Sequence, residues 1–238
     1  MIVRSSAFFS HADQFNDPFD CKIRFNQEAT DDDWRRFFNE RLRKDRPELT
    51  TVQIEMMIEQ KIRDPQLRDE KYLDEIDDQN TRDHLNKVGI FSLSADPAQM
   101  LMWSHYSDSH RGCCLQFSTD YKFFLLAQSV SYSPTYPNVN FFQLIKDKNV
   151  GEFIKIALLT KSDLWKYEQE WRILEFDGPR RFYPFDVAGL TGVIFGYWMK
   201  PEDKDLIRRL TEKRNPPLQF YQAMPWKREF KMQIVPLP

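Results

Sequence analysis

The chain has 238 residues, and 34 Lys and Arg against 36 Asp and Glu give a formal charge of −2; 41% of its residues are apolar or aromatic. That length and composition suit a globular protein with a buried core, and the near-neutral balance excludes a global pull toward nucleic acid or membrane, so any basic site must be local. The sequence has no apolar run near the ~18 residues of a membrane span, and "MIVRSSAFFS" is too polar for a signal peptide. Cys21, Cys113 and Cys114 make no disulfide framework, and the adjacent pair lacks zinc-ligand spacing. The expectation is a reduced, cytoplasmic protein with no metal and no membrane partner.

Residues 1–27 read as a short strand, "AFFS", and a loop, "HADQFNDPFDC", broken by Asn-Asp-Pro because the residue before proline is pushed out of the α region. From 28 to 88 the composition turns charged and helix-periodic. Thr30 caps a helix whose first turn is Asp31, Asp32 and Asp33, with Trp34, Phe37, Phe38 and Leu42 on one face. It should end before Pro47. Thr50 and Gln53 form a capping box for a second helix that presents Ile54, Met57, Ile58 and Ile62, and a third spans 67–87.

After Gly89 come strand patterns: "GIFSLSA", "GCCLQF", "SVSYS", "EWRILEF", "GVIFGYW" and "FKMQIVPL", with helices over 141–162 and 202–214. The expected fold is α+β, one domain over 1–238 with a mixed, largely antiparallel sheet and a helical insertion at 28–88. No G-x-G-x-x-G or G-x-x-x-x-G-K-[ST] occurs, so Rossmann and P-loop readings are excluded.

Three stretches could carry chemistry. "FNDPFDC" offers Asn16, Asp17 and Asp20, which equally well make a rigid turn by bonding their own backbone. In "LMWSHYSDSHRGCCLQF" a short helix carries His105 and Tyr106 and ends near Arg111 and Gly112; the preceding strand puts Ser92 and Ser94 on one face with Leu93 buried. The alternative is a helix whose aromatic stripe simply packs on the sheet. Cys113 and Cys114 read as small core residues, since nothing nearby activates a thiol.

The third stretch, "LWKYEQEWRILEF", reads as one strand. Trp165, Tyr167, Gln169, Trp171 and Ile173 would anchor one face, and Lys166, Glu168, Glu170, Arg172 and Leu174 would share the other. Carboxylates at i and i+2 stand about 7 Å apart, and an adjacent arginine keeps both ionised. Such a face is either a solvated surface with a Glu–Arg pair or a preorganised site.

The order and spacing of "FFSHADQFNDPFDC", "FSLSADPAQMLMWSHYSDSHRGCCLQF" and "KSDLWKYEQEWRI", over about residues 7–175, resemble the bacterial domain-of-unknown-function family numbered twenty-nine seventy-one. Members usually carry a tyrosine- and arginine-bearing strand before the "FNDPF" element, so the resemblance implies that Arg4 takes that place, or that this part of any cleft is missing or supplied by a partner.

A second resemblance is to the arginine–serine–glutamate class of ADP-ribosyltransferases, which use a basic residue, a Ser-x-Ser strand and a Glu-x-Glu strand in that order. Here these are Arg4, Ser92–Leu93–Ser94 and Glu168–Gln169–Glu170. It implies an ADP-ribosyltransferase-like fold and an enzyme taking NAD as substrate, as a transferase or NAD glycohydrolase; a bacterial toxin or phage-defence effector is a setting for such an activity. Glu170 would be the catalytic carboxylate and Glu168 its neighbour. His105 and Tyr106 would line the cleft, Arg172 or Arg111 would meet phosphate, and Arg4, Ser92, Ser94, Asn16 and Asp17 would complete substrate binding. The acceptor could be protein, nucleic acid or water.

Two other readings stay open. One is a non-catalytic nucleotide- or nucleic-acid-binding module using Arg111, Arg172, Arg180 and Arg181 interleaved with Tyr167, Trp171, Phe182 and Tyr183. The other is a subunit that binds a protein partner through its helical insertion.

Overall fold

The computed structural model describes residues 1–26, 30–69, 71, 75, 82, 85–140, 142, 150–176, 178 and 181–238, and the fold among them is α+β with mostly antiparallel strand pairs. In chain order, β1 (Ser6–Phe8), β2 (Arg24–Asn26), α1 (Asp31–Asp45) and α2 (Thr51–Ile62) precede β3 (Gly89–Ser94), α3 (Met100–Tyr106), β4 (Cys113–Phe117) and α4 (Lys122–Leu125). Then come β5 (Gln128–Ser129), β6 (Ser131–Ser133), β7 (Asn138–Asn140), α5 (Val150–Leu158), β8 (Thr160–Ser162) and β9 (Glu170–Glu175). The chain closes with β10 (Phe182–Pro184), β11 (Leu190–Phe195), α6 (Pro201–Thr211), β12 (Gln219–Pro225) and β13 (Met232–Pro236). It divides into two compact units, Met1–Pro18 with Asn86–Pro134 and Lys161–Pro238, and Phe19–Leu85 with Thr135–Thr160.

In the first unit β11 is the organising strand. "LTGVIF" is apolar on both faces and is buried on both, with Val193 and Phe195 in one cluster and Ile194 in another. It lies inside a sheet ordered β13-β12-β11-β4, and only its pairing with β12 is parallel. That parallel pair is joined through α6, a single β-α-β crossover in an otherwise antiparallel arrangement. The sequence reading missed β12, since "QFYQAMP" sits between prolines and mixes glutamine into its apolar positions.

Val193 and Phe195 belong to the same apolar cluster as Phe91 of β3 and Ile173 of β9, so the second sheet, ordered β3-β9-β5, shares its core. On the Ile194 face, α3 docks by a single buried ring. Trp103 packs on Ile194, Ala223 and Met232, and its indole N–H donates to the Pro97 carbonyl at 2.8 Å.

A tight turn then sets where α3 ends. Asp108, Ser109 and His110 all have positive φ, and the Gly112 N–H donates to the Ser107 carbonyl at 2.7 Å. The end of β11 holds this turn, with Gly196 N–H donating to the Gly112 carbonyl and Trp198 N–H to the His110 carbonyl, each at 2.9 Å. A Cβ on Gly196 would stand 2.3 Å from the His110 oxygen and 2.6 Å from the Gly112 oxygen, both backbone atoms that cannot swing aside. Gly196→Ala is therefore expected to cost about 1–3 kcal/mol, the usual range for overpacking. Urea unfolding followed by circular dichroism reads the loss; an unchanged midpoint would mean that the turn relaxes freely.

The second unit follows the predicted caps. Thr30 and Thr50 each accept the N3 amide while Asp33 and Gln53 reach back, which satisfies amides that the first helical turn leaves free. Leu42 of α1 packs on Ile54, Ile58 and Ile62 of α2, and Arg35 Nε donates to Glu59 at 3.1 Å across the pair. The unit also takes in the parallel pair β2–β7 and α5. The helix expected over 67–87 falls mostly on residues outside those described, as does the first half of the one expected over 141–162. The latter ends early: α5 stops at Leu158 and Thr160–Ser162 is strand β8, paired with β6. Among the described residues no helix is long and apolar enough to cross a membrane.

Candidate functional site

The stretch expected to be one long strand is two elements. Residues Asp163–Glu168 form a 3-10 turn capped by Ser162, Gln169 adopts a left-handed conformation (φ 44°, ψ 51°), and β9 begins only at Glu170. The left-handed residue turns the chain so that Glu168, at the end of the turn, faces the same way as Glu170. Side chains other than glycine seldom hold that conformation without strain, and such residues gather where a site must be shaped.

The burial of this stretch is also the reverse of the expectation. Trp171 is exposed, whereas Glu168 keeps 2% of its surface and Arg172 none. The physical reason is a third cation that the sequence reading did not select, Lys161 of β8. Its Nζ donates to Glu168 Oε2 at 2.5 Å and to Glu170 Oε2 at 3.0 Å. Arg172 grips Glu170 with two bonds, Nε to Oε1 at 2.7 Å and one terminal nitrogen to Oε2 at 3.0 Å. Lys161 and Arg172 thus face Glu168 and Glu170 with opposite charges, and a buried ion set survives only when it is paired and hydrogen-bonded. Phe15 lies under the Arg172 guanidinium at 5.0 Å and Trp165 under the Lys161 ammonium at 5.2 Å.

The antiparallel register puts Ser94 opposite Glu170 and Ser92 opposite Arg172, on one face of the sheet. Ser94 Oγ donates to the Glu168 carbonyl at 2.7 Å and so pins the turn to β3. The Glu170 amide donates to Tyr132 Oη at 2.8 Å, which ties β6 to the same point.

One side chain carries this buried set to the surface. Tyr106, at the end of α3, is 50% exposed, and its hydroxyl donates to Glu168 Oε1 at 2.8 Å. The Asn16 amide donates to the same hydroxyl oxygen at 3.5 Å. Desolvation first, and the Glu168 hydrogen bond second, push the Tyr106 hydroxyl far above the ordinary tyrosine value, so it stays a proton donor at neutral pH. Next to it the exposed His105 ring meets Trp165, centroids 6.2 Å apart, and Trp165 meets Tyr167 at 5.9 Å. Together these form an aromatic shelf along the rim.

Of the residues expected at a site, the structure therefore brings Tyr106, His105, Asn16, Ser92, Ser94, Glu168, Glu170 and Arg172 into one region of the first unit. Asp17 is buried in the turn beside Asn16. Arg172 is too deep to meet a phosphate, which corrects that expectation. Arg4 is exposed in the turn before β1, a strand that pairs with β10. Arg111 lies elsewhere, its guanidinium 5.8 Å above the Trp198 ring. Of the alternative basic set, Arg180 lies outside the described residues, and Phe182 packs on Phe8. Cys113 and Cys114 are half-buried, and burial holds the Cys114 thiol up at about 11, which leaves it neutral and a poor nucleophile. Among the described residues no cluster of histidine, cysteine or acidic side chains could hold a metal ion.

Lys161, Tyr132 and Phe15 were invisible to local pattern. Lys161 follows the apolar helix "FIKIALL" with no charge-pairing spacing to either glutamate, and only the folded chain supplies its partners. No curated protein and no solved structure matches the chain. Residues 102–173, the span holding Tyr106, Lys161 and the Glu168–Glu170–Arg172 run, match the family described as Protein of unknown function (DUF2971).

Proposed function

We propose that the protein is a nucleotide-dependent enzyme that cleaves the nicotinamide–ribose bond of NAD, as an ADP-ribosyltransferase or an NAD glycohydrolase. The observation that carries this reading is the Glu168 carboxylate, one hydrogen bond beneath the half-exposed Tyr106 and beside an aromatic shelf. A planar nicotinamide or adenine ring stacks on Trp165 and His105. When the N-glycosidic bond breaks, nicotinamide leaves neutral with the bonding pair, and positive charge develops on the ribosyl ring. A carboxylate fixed by Lys161 and Tyr106 stabilises that charge without having to reorganise. Water or an acceptor hydroxyl then adds at C1′ and passes its proton to Glu168.

Compared with the reading from sequence alone, the reacting carboxylate moves from Glu170 to Glu168. Both carboxylates are buried and both accept from Lys161, but Glu170 is also held by two bonds from the fully buried Arg172, whereas the second oxygen of Glu168 accepts from the half-exposed Tyr106.

Incubation of the pure protein with nicotinamide-labelled NAD is expected to release free nicotinamide. Tyr106→Phe removes the hydroxyl but keeps the ring, so turnover should fall roughly tenfold or more while the melting temperature moves little, because the group is half-exposed. Binding of NAD without any release of nicotinamide would leave a binding module in place of an enzyme.

A further inference from the structure

A second surface of the first unit is built differently from the site above. After β11 the chain exposes Tyr197 and Trp198, and the β12–β13 hairpin exposes Trp226 and Phe230 across a cleft of about 520 Å³. Phe230 is 100% exposed and Trp198 57%. Soluble proteins rarely gather four exposed aromatic rings on one cleft without a ligand to cover them.

The charge of this cleft departs from that of the chain. The hairpin turn reads "WKREFK", three cations against one anion, and Arg111 adds a further cation over the Trp198 ring. Lys231 sits 5.5 Å above the Trp226 ring and pairs with Glu229 at 2.7 Å. Two of the rings therefore already carry a cation on one face. The backbone beneath is fixed, since the Trp226 N–H donates to the Lys231 carbonyl at 2.8 Å and the Trp198 N–H to His110.

From this juxtaposition we infer that the cleft between Trp198 and the 226–231 turn binds single-stranded nucleic acid. Bases stack on Trp198, Trp226 and Phe230, and Lys227, Arg228 and Arg111 meet the phosphates. Flat rings interleaved with cations along the cleft suit splayed-out bases, whose phosphates supply the matching negative charge. The inference does not rest on NAD cleavage, because binding is read with no NAD present. The cleft is nonetheless near the candidate site: Met100, on its wall, and Tyr106 lie six residues apart on α3, about 9 Å along the helix axis.

The test is fluorescence anisotropy of the full chain with a short labelled oligouridylate and oligothymidylate, alongside a labelled polyglutamate peptide and phosphatidylserine vesicles. Saturable oligonucleotide binding that weakens steeply with salt is expected. Trp198→Ala or Trp226→Ala should weaken it on the order of tenfold or more, and Trp226→Phe should keep most of it. Lys227→Ala should lower the salt dependence and leave base preference unchanged. All three positions are exposed, so an unchanged circular dichroism spectrum separates lost contacts from lost fold. Absent oligonucleotide binding, equal binding of the peptide or the vesicles, or indifference to Trp198→Ala would each overturn the inference.

Discussion

Lys161→Met should be among the most destabilising single substitutions in this chain, because it removes the cation that two buried carboxylates share. Lys161 lies between Glu168 and Glu170 at 2.5 and 3.0 Å, with both carboxylates almost wholly out of water. Methionine fills the same space, so packing is conserved and the loss isolates the charge. Breaking a buried pair by removing one partner costs about 3–5 kcal/mol. For a chain of this size that lowers the melting temperature on the order of 10 °C. The double variant Lys161→Met with Glu168→Gln returns the remaining pair to zero charge, so it should cost less than the two single losses added together. A Lys161→Met protein that melts within a degree or two of the wild type would show that water reaches the set and screens it.

How much of this was legible in the sequence depends on the range of the interaction. The caps at Thr30 and Thr50 act over three residues, and both are present as expected. β3 and β4 also fall where the apolar pattern put them, and "EWRILEF" holds β9, whereas the strand expected over "GVIFGYW" starts two residues earlier and stops at Phe195. Failures come where tertiary pairing overrides local preference. "LWKYEQE" alternates like a strand, yet a turn wins because it brings Glu168 to Lys161 and its carbonyl to Ser94. The candidate site was half legible: clustering of polar residues pointed to Tyr106 and to the Glu-x-Glu run, some sixty residues apart, and Tyr106 meets Glu168 at 2.8 Å. The depth of Arg172 was not legible, because a Glu–Arg pair on a strand reads as a surface feature until a second cation is known to balance the second carboxylate.

On the proposed function, the same set separates a glutamate that matters for turnover from one that matters for folding. In Glu168→Gln the amide oxygen can take the place of Oε2 and accept from Lys161, while the amide nitrogen takes the place of Oε1 and donates to the Tyr106 hydroxyl oxygen, and Lys161 keeps Glu170 at 3.0 Å. The fold should therefore hold at modest cost. On the proposed NAD cleavage, the charge that would face the ribosyl cation is gone, and nicotinamide release should fall on the order of a hundredfold or more, the usual consequence of removing a preorganised electrostatic contact. In Glu170→Gln the anion that Arg172 grips with two bonds is lost, and a guanidinium with no exposed surface cannot turn to water instead. That variant should lose more stability than Glu168→Gln, about 3–5 kcal/mol, while the protein that remains folded keeps much of its turnover. The measurement is nicotinamide release per folded molecule, with the folded fraction taken from urea unfolding of each variant. Glu170→Gln that is stable but inactive, beside Glu168→Gln with wild-type release, would return the reacting role to Glu170 and reduce Glu168 to a positioning residue. Both carboxylates dispensable for release would remove the oxocarbenium chemistry from this region altogether.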